Sequence, residues 1–201
     1  GIFATFNLKD KTMKLTTTLE RMKENNLLNN NLDTLIKYFK DYEENVEIDL
    51  ITILEKIGIS QFILSFNAVE ECKKEFAENM AIKIAAALTK RVLTEKDEKL
   101  NKIVKMTEYY FYERNSYEIY KKFRQARHIA EVIKTESKKA EIVYLFVVCV
   151  ILSDAYHADC RVTAKKATIK ISELFKSMAI SKEEEEKTQI EIIKKLLTSG
   201  E

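Results

Sequence analysis

No proline occurs anywhere in this 201-residue chain, and glycine occurs only as Gly1, Gly58 and Gly200. These two residues are the usual punctuation of turns and strand ends. A sheet-rich chain of this length needs many of them, so the sequence is restricted to helices joined by short polar turns. The expectation is an all-α, single-domain multi-helix bundle. With 46% hydrophobic and 33% charged residues the balance is globular rather than disordered. A chain this long can bury about 70% of its unfolded surface.

Apolar periodicity divides the chain into segments. Residues 1–12 read as a leader outside the fold, with Met13 as a start point, and residues 13–201 as one helical domain in which 13–58 forms an N-terminal subdomain. A helix is expected over about Leu15 to Asn25. A second carries Leu32, Leu35, Ile36 and Phe39, with Asn31 as N-cap. Asp49 caps a short apolar helix that ends at Gly58, a C′ glycine, and Ser60 starts another around Phe62, Ile63 and Phe66. Longer helices follow over Glu70 to Leu93, from Leu100, and from an Asn115 or Ser116 cap to about Thr135. The stretch from Ala140 to Ala158 is apolar nearly all round at its start, which marks a buried central helix. An amphipathic continuation covers Val162 to Met178. Ser181 with Glu184 forms a capping box for a last helix whose apolar face holds Ile190, Ile193, Leu196 and Leu197; that face could serve a homo-oligomer.

The longest uncharged apolar run, Ile142 to Leu152, is about half the roughly 20 residues that span a bilayer, so no membrane insertion is expected. Residues 1–6 lack the basic n-region and apolar stretch of a signal peptide. Cys72, Cys149 and Cys160 are odd in number and far apart; they read as free thiols in helical contexts, in a reducing, cytoplasmic compartment.

Two constellations could carry chemistry or binding. Asp154, His157 and Cys160 follow one another at i, i+3 and i+6, near one helix face, with Cys149 upstream, and all are zinc-ligand types. A closed zinc site needs four ligands, the only other histidine is His128, and no CxxC or HExxH occurs, so the triplet reads as ordinary helix surface and no metal or other cofactor is expected. The second constellation is the segment 114–139. Arg114, Lys121, Lys122, Arg124, Arg127, Lys134, Lys138 and Lys139 stand there against Glu118, Glu131 and Glu136. Tyr109, Tyr110, Phe111, Tyr112, Tyr117, Tyr120 and Phe123 lie just before or within it. Cations interleaved with aromatics can bind a protein partner or grip and stack on nucleic acid; aromatics at helical spacing also build cores. The chain's net charge of +2 favours neither. No nucleophile elbow, P-loop or dinucleotide fingerprint is present, so no enzyme is expected.

Read in order, several segments resemble a phage- and prophage-associated family of helical proteins labelled as immunity proteins of polymorphic toxin systems. Leu50-Ile51-Thr52-Ile53-Leu54-Glu55 followed by Gly58-Ile59 looks like the family's opening "LLTILE..NGL". Ala85 to Leu93 is similar to its "CA.RVL" helix end. Lys99 to Tyr110, then Asn115-Ser116-Tyr117-Glu118, resembles its "RPR.AIE.A..Y" helix. Asp154-Ala155-Tyr156-His157-Ala158-Asp159 echoes an Asp-Ala-aromatic repeat, and Glu186-Lys187-Thr188-Gln189 before Leu196-Leu197 looks like "E..WQ…LL". The likeness runs from about Thr16 to Leu197, although this chain has no tryptophan and carries Val, Ile and Phe in central helices where the family carries alanine. The resemblance implies a binding protein of mobile-element conflict and offers no catalytic residues to carry over. The expectation drawn is a non-enzymatic protein-binding protein of phage–bacterial conflict that acts by occluding a protein partner through the 114–139 segment. The expected contact residues are Arg114, Lys121, Lys122, Arg124, Arg127 and Lys134.

Overall fold

A computed structural model of the chain describes residues 14–26, 31–154, 170, 173–174 and 183–199. Among these residues it is all-α apart from one two-stranded ribbon. Nine helices are delimited: α1 Leu19–Asn26, α2 Asp33–Tyr38, α3 Leu50–Lys56, α4 Ile59–Leu64, α5 Lys74–Val92, α6 Glu98–Tyr112, α7 Tyr117–Ile133, α8 Lys138–Asp154 and α9 Glu183–Ser199. The contacts divide the chain into two compact units, Gly1–Ala81 with Ile180–Glu201, and Ile82–Ala179. The dividing point falls inside α5.

In the first unit the helix expected from Leu15 begins only at Leu19. Thr16–Thr17 (β1) instead pairs antiparallel with Ile48–Asp49 (β2), Thr16 opposite Asp49 and Thr17 opposite Ile48. Thr18 then starts α1, its hydroxyl accepting from the Arg21 amide at 3.1 Å. The buried Thr17 hydroxyl donates to the Ala68 carbonyl at 2.7 Å. Arg21 forks to Glu47 at 3.1 Å and Glu70 at 3.2 Å. The hydrogen bond from Thr16, reinforced by Arg21, holds the Glu47 carboxyl below its ordinary range.

Asn31 is not the cap of α2. Leu32 holds the N-cap position without a side-chain cap bond, and Asn26 at the end of α1 anchors it, accepting from the Leu32 amide at 2.9 Å and donating to Asp33 at 2.6 Å. Leu32, Leu35 and Phe39 are buried as their spacing required. Asp49 caps α3 as expected, its Oδ1 accepting from Ile51 N–H at 2.9 Å. The core of this unit gathers Leu19, Met22, Leu35, Phe39, Ile53, Leu54, Phe62 and Ile63, all nearly or fully buried. Helix α9 buries Ile193 and Gln189 and sends Lys194 to Glu55 of α3.

Gly58, between α3 and α4, has φ 125° and ψ 173°. It follows the helix end as expected, but its ψ lies far from the left-handed helical C′ geometry, in a region only glycine occupies readily. A Cβ there would meet nothing nearer than Glu186 Oε1 at 3.7 Å. Strain of the backbone, not a clash, sets the cost. Gly58→Ala will therefore destabilise the fold by about 1–3 kcal/mol, read as a lower urea midpoint with an unchanged slope.

The expected helix from Glu70 starts later. Glu71–Lys73 forms a 3₁₀ turn and α5 begins at Lys74. Cys72 sits on that turn and is exposed, unlike the small buried hydrophobe its context suggested. Cys149 does behave that way: it is fully buried in α8, and desolvation pushes its thiol well above the ordinary range.

In the second unit α6, α7 and α8 pack pairwise. Helix α6 buries Leu100, Ile103, Val104, Thr107 and Tyr110. Helix α7 buries Phe123, Ala126, Ala130 and Ile133, a 3-4-3 spacing that makes one apolar stripe. The Tyr110 ring stacks on Phe123 with centroids 4.3 Å apart. Helix α8 supplies Ile142, Val143, Phe146, Val147 and Val150, and is the buried apolar helix that the composition of 140–152 required. Lys139 at its start bonds Asp97 at 2.9 Å; that bond, with the Thr94 amide, lowers the Asp97 pKa. No helix among the described residues is long and apolar enough to cross a membrane.

Candidate binding face

The sequence-selected cations divide once α7 is folded. Ser116, not Asn115, caps this helix, its Oγ accepting from Ile119 N–H at 3.4 Å. The cap fixes the helical phase. Because Phe123, Ala126, Ala130 and Ile133 take the inner stripe, Lys121, Lys122, Arg124 and Arg127 are left exposed. Tyr117, 70% exposed, and Tyr120, 39% exposed, share their outer surface. Lys121 Nζ lies 5.7 Å from the Tyr117 ring centre and the Arg124 guanidinium 5.9 Å from that of Tyr120. Each such exposed pairing contributes about 0.5–1 kcal/mol. Tyr120 also reaches inward, its ring 6.0 Å from that of buried Tyr110.

Arg114 and Lys134 belong to a different environment. Arg114 is half-buried, donating to Ser153 Oγ at 2.9 Å and lying 4.8 Å from the Phe111 ring centre. Lys134 is half-buried 4.9 Å from the Tyr144 ring centre. It lines an open cleft of about 600 Å³ with Thr135, Ser137, Lys138, Glu141, Tyr144 and Leu145. Lys138 and Lys139 are engaged by Glu141 and Asp97. Four of the six expected contact cations thus share the free surface of one helix, and two serve packing as well.

The 114–139 window also omitted part of the surface. On α6 the exposed positions Lys102, Lys105, Tyr109 and Tyr112 follow one another at 3-4-3 spacing. Tyr112 is partly exposed; partial burial, with the Glu108 carboxylate, raises its phenol pKa. Only Glu113, Arg114, Asn115 and Ser116 separate α6 from α7, so the four exposed tyrosines among this unit's described residues lie close to one turn in sequence. The second unit carries 20 Lys and Arg against 12 Asp and Glu, a net +8, and the first carries 14 against 20, a net −6. The chain's small net charge is the difference of two strongly charged parts.

Of the Asp154, His157 and Cys160 triplet, His157 and Cys160 lie outside the described residues, as do Ser181 of the expected capping box and the segment 162–169. Among the described residues no group of three or more His, Cys, Asp or Glu is placed to hold a metal ion. No family model, no curated protein and no solved structure matches this chain.

Proposed function

We propose that this chain is a non-enzymatic binding protein of phage–bacterial conflict that neutralises a protein partner by covering its surface, and that the outer face of α7 makes the contact. The observation that carries the reading is the pairing of exposed Tyr117 and Tyr120 with Lys121 and Arg124. Tyrosine and arginine dominate binding energy at protein interfaces, because they combine large rigid area with directional polar groups. An occluding inhibitor requires only such a face on a stable scaffold. The cations select a partner whose complementary surface is acidic. The sequence resemblance to immunity proteins supplies the setting.

A second reading is supported by the +8 charge of residues 82–179 and by Lys102 and Lys105 beside the exposed tyrosines of α6. Cations that neutralise phosphates, with aromatic rings on which bases stack, are what single-stranded nucleic acid requires. Affinity capture from host lysate, with and without nuclease and read by mass spectrometry, separates the two. The protein-binding reading expects one protein retained at near-stoichiometric yield after nuclease treatment. Capture that vanishes with nuclease rejects it and leaves the nucleic-acid reading.

A further inference from the structure

Nine large apolar side chains stand exposed among the described residues, and they divide into two sets, one in each unit. One comprises Tyr109, Tyr112, Tyr117, Tyr120, Ile129 and Val132, in the basic unit. The other is Tyr38, Tyr42 and Val46, in the acidic unit. Tyr38 and Tyr42 flank the buried Phe39, their ring centres 4.9 and 5.0 Å from its own, so the two hydroxyl-tipped rings sit on one local surface. Around them the segment 40–47 carries Asp41, Glu43, Glu44 and Glu47 against Lys40. Glu44 is taken by Lys23 and Glu47 by Arg21. Asp41 and Glu43 are exposed and make no ion pair among the described residues.

We propose that these two faces dock on each other between copies of this chain, the acidic Tyr38–Tyr42–Val46 face of one copy against the basic outer face of α7 of another. The second copy is the occupant because it supplies, on the same polypeptide, a surface matched in both respects: exposed rings meet exposed apolar area, and Asp41 and Glu43 meet Lys121, Arg124 and Arg127. Like faces repel, so pairing runs between unlike faces. Such a contact either closes into a twofold dimer that contains it twice or continues head to tail. Self-association then covers α7 and competes with any other partner of that face. The proposal uses the same face as the functional reading but does not depend on that partner's identity, and it is tested with the purified chain alone.

The experiment is sedimentation equilibrium at about 25 mM and about 0.5 M salt, where the screening length falls from tens of ångströms to a few. At low salt the weight-average mass should rise with concentration from the monomer's 23.5 kDa toward twice that or beyond. It should return to the monomer value at high salt. K121E/R124E/R127E and D41K/E43K should each remain monomeric alone at low salt. An equimolar mixture of the two should associate again, since each reversed face then meets a reversed partner; misfolding of either variant cannot produce that recovery. A wild-type chain monomeric at every concentration and salt overturns the proposal. So does association that survives either reversal, or a mixture that stays monomeric. Binding of a labelled single-stranded oligonucleotide by a chain that never self-associates gives the α7 face to nucleic acid and also overturns it.

Discussion

Phe146→Ala will lower the stability of the fold by about 3–5 kcal/mol, a large share of the ~5–15 kcal/mol that ordinary domains have. Phe146 is fully buried at the middle of α8, among Val143, Val147 and Val150 on the same helix, all of them also inaccessible. Removing the ring forfeits its transfer free energy and leaves a cavity that close-packed β-branched neighbours cannot collapse to fill. Urea unfolding followed by far-ultraviolet circular dichroism measures the effect. Phe146→Leu, which keeps most of the volume, should cost under about 1.5 kcal/mol. Val148→Ala, two residues further on at a half-exposed site, should cost less than Phe146→Ala by a wide margin. Equal costs at 146 and 148 would mean that α8 is not the buried helix described above.

Helices whose signals are local were legible in the sequence. Asp49 and Ser116 cap the helices that follow them, and Phe123, Ala126, Ala130 and Ile133 declare the inner face of α7 by spacing alone. What escaped depends on distant partners. Thr16 and Thr17 extend a helical pattern in the sequence, but their backbone pairs with Ile48 and Asp49, and the ladder overrides propensity. Asn26, at the end of one helix, holds the Leu32 amide at the start of the next, a reach that no cap rule of immediate neighbours covers.

The candidate face was half legible for the same reason. A charge count along residues 114–139 treats every cation as free, whereas Ser153 draws in Arg114 and Tyr144 draws in Lys134. Such a count also leaves out the exposed cations Lys102 and Lys105, which come earlier in the chain on α6. The opposite charges of the two units were hidden in the near-neutral sum, because the acidic unit is discontinuous and takes residues from both ends of the chain.

Reversing the face tests function where truncating the core tests the fold. K121E/R124E/R127E moves the local charge by six while touching only exposed side chains. Losing the Lys121–Tyr117 and Arg124–Tyr120 pairings should cost about 0.5–1 kcal/mol each, and the inner stripe and the Ser116 cap are untouched. Against an acidic partner the effect on binding is far larger. Three attractions become three repulsions, and like charges brought together at an interface cost several kcal/mol. Affinity for the captured partner should fall by about 100-fold or more, measured by titration calorimetry at fixed salt. Tyr117→Ala separates area from charge. Tyr117 is 70% exposed, so its loss should lower stability only by the ~0.5–1 kcal/mol of its pairing with Lys121. Binding should still weaken by about 10-fold if the ring is an interface anchor. Phe123→Ala, by contrast, should reduce binding only as far as it unfolds the helix that carries the face. Unchanged affinity in both the triple reversal and Tyr117→Ala would remove α7 from the contact, whichever partner the capture names.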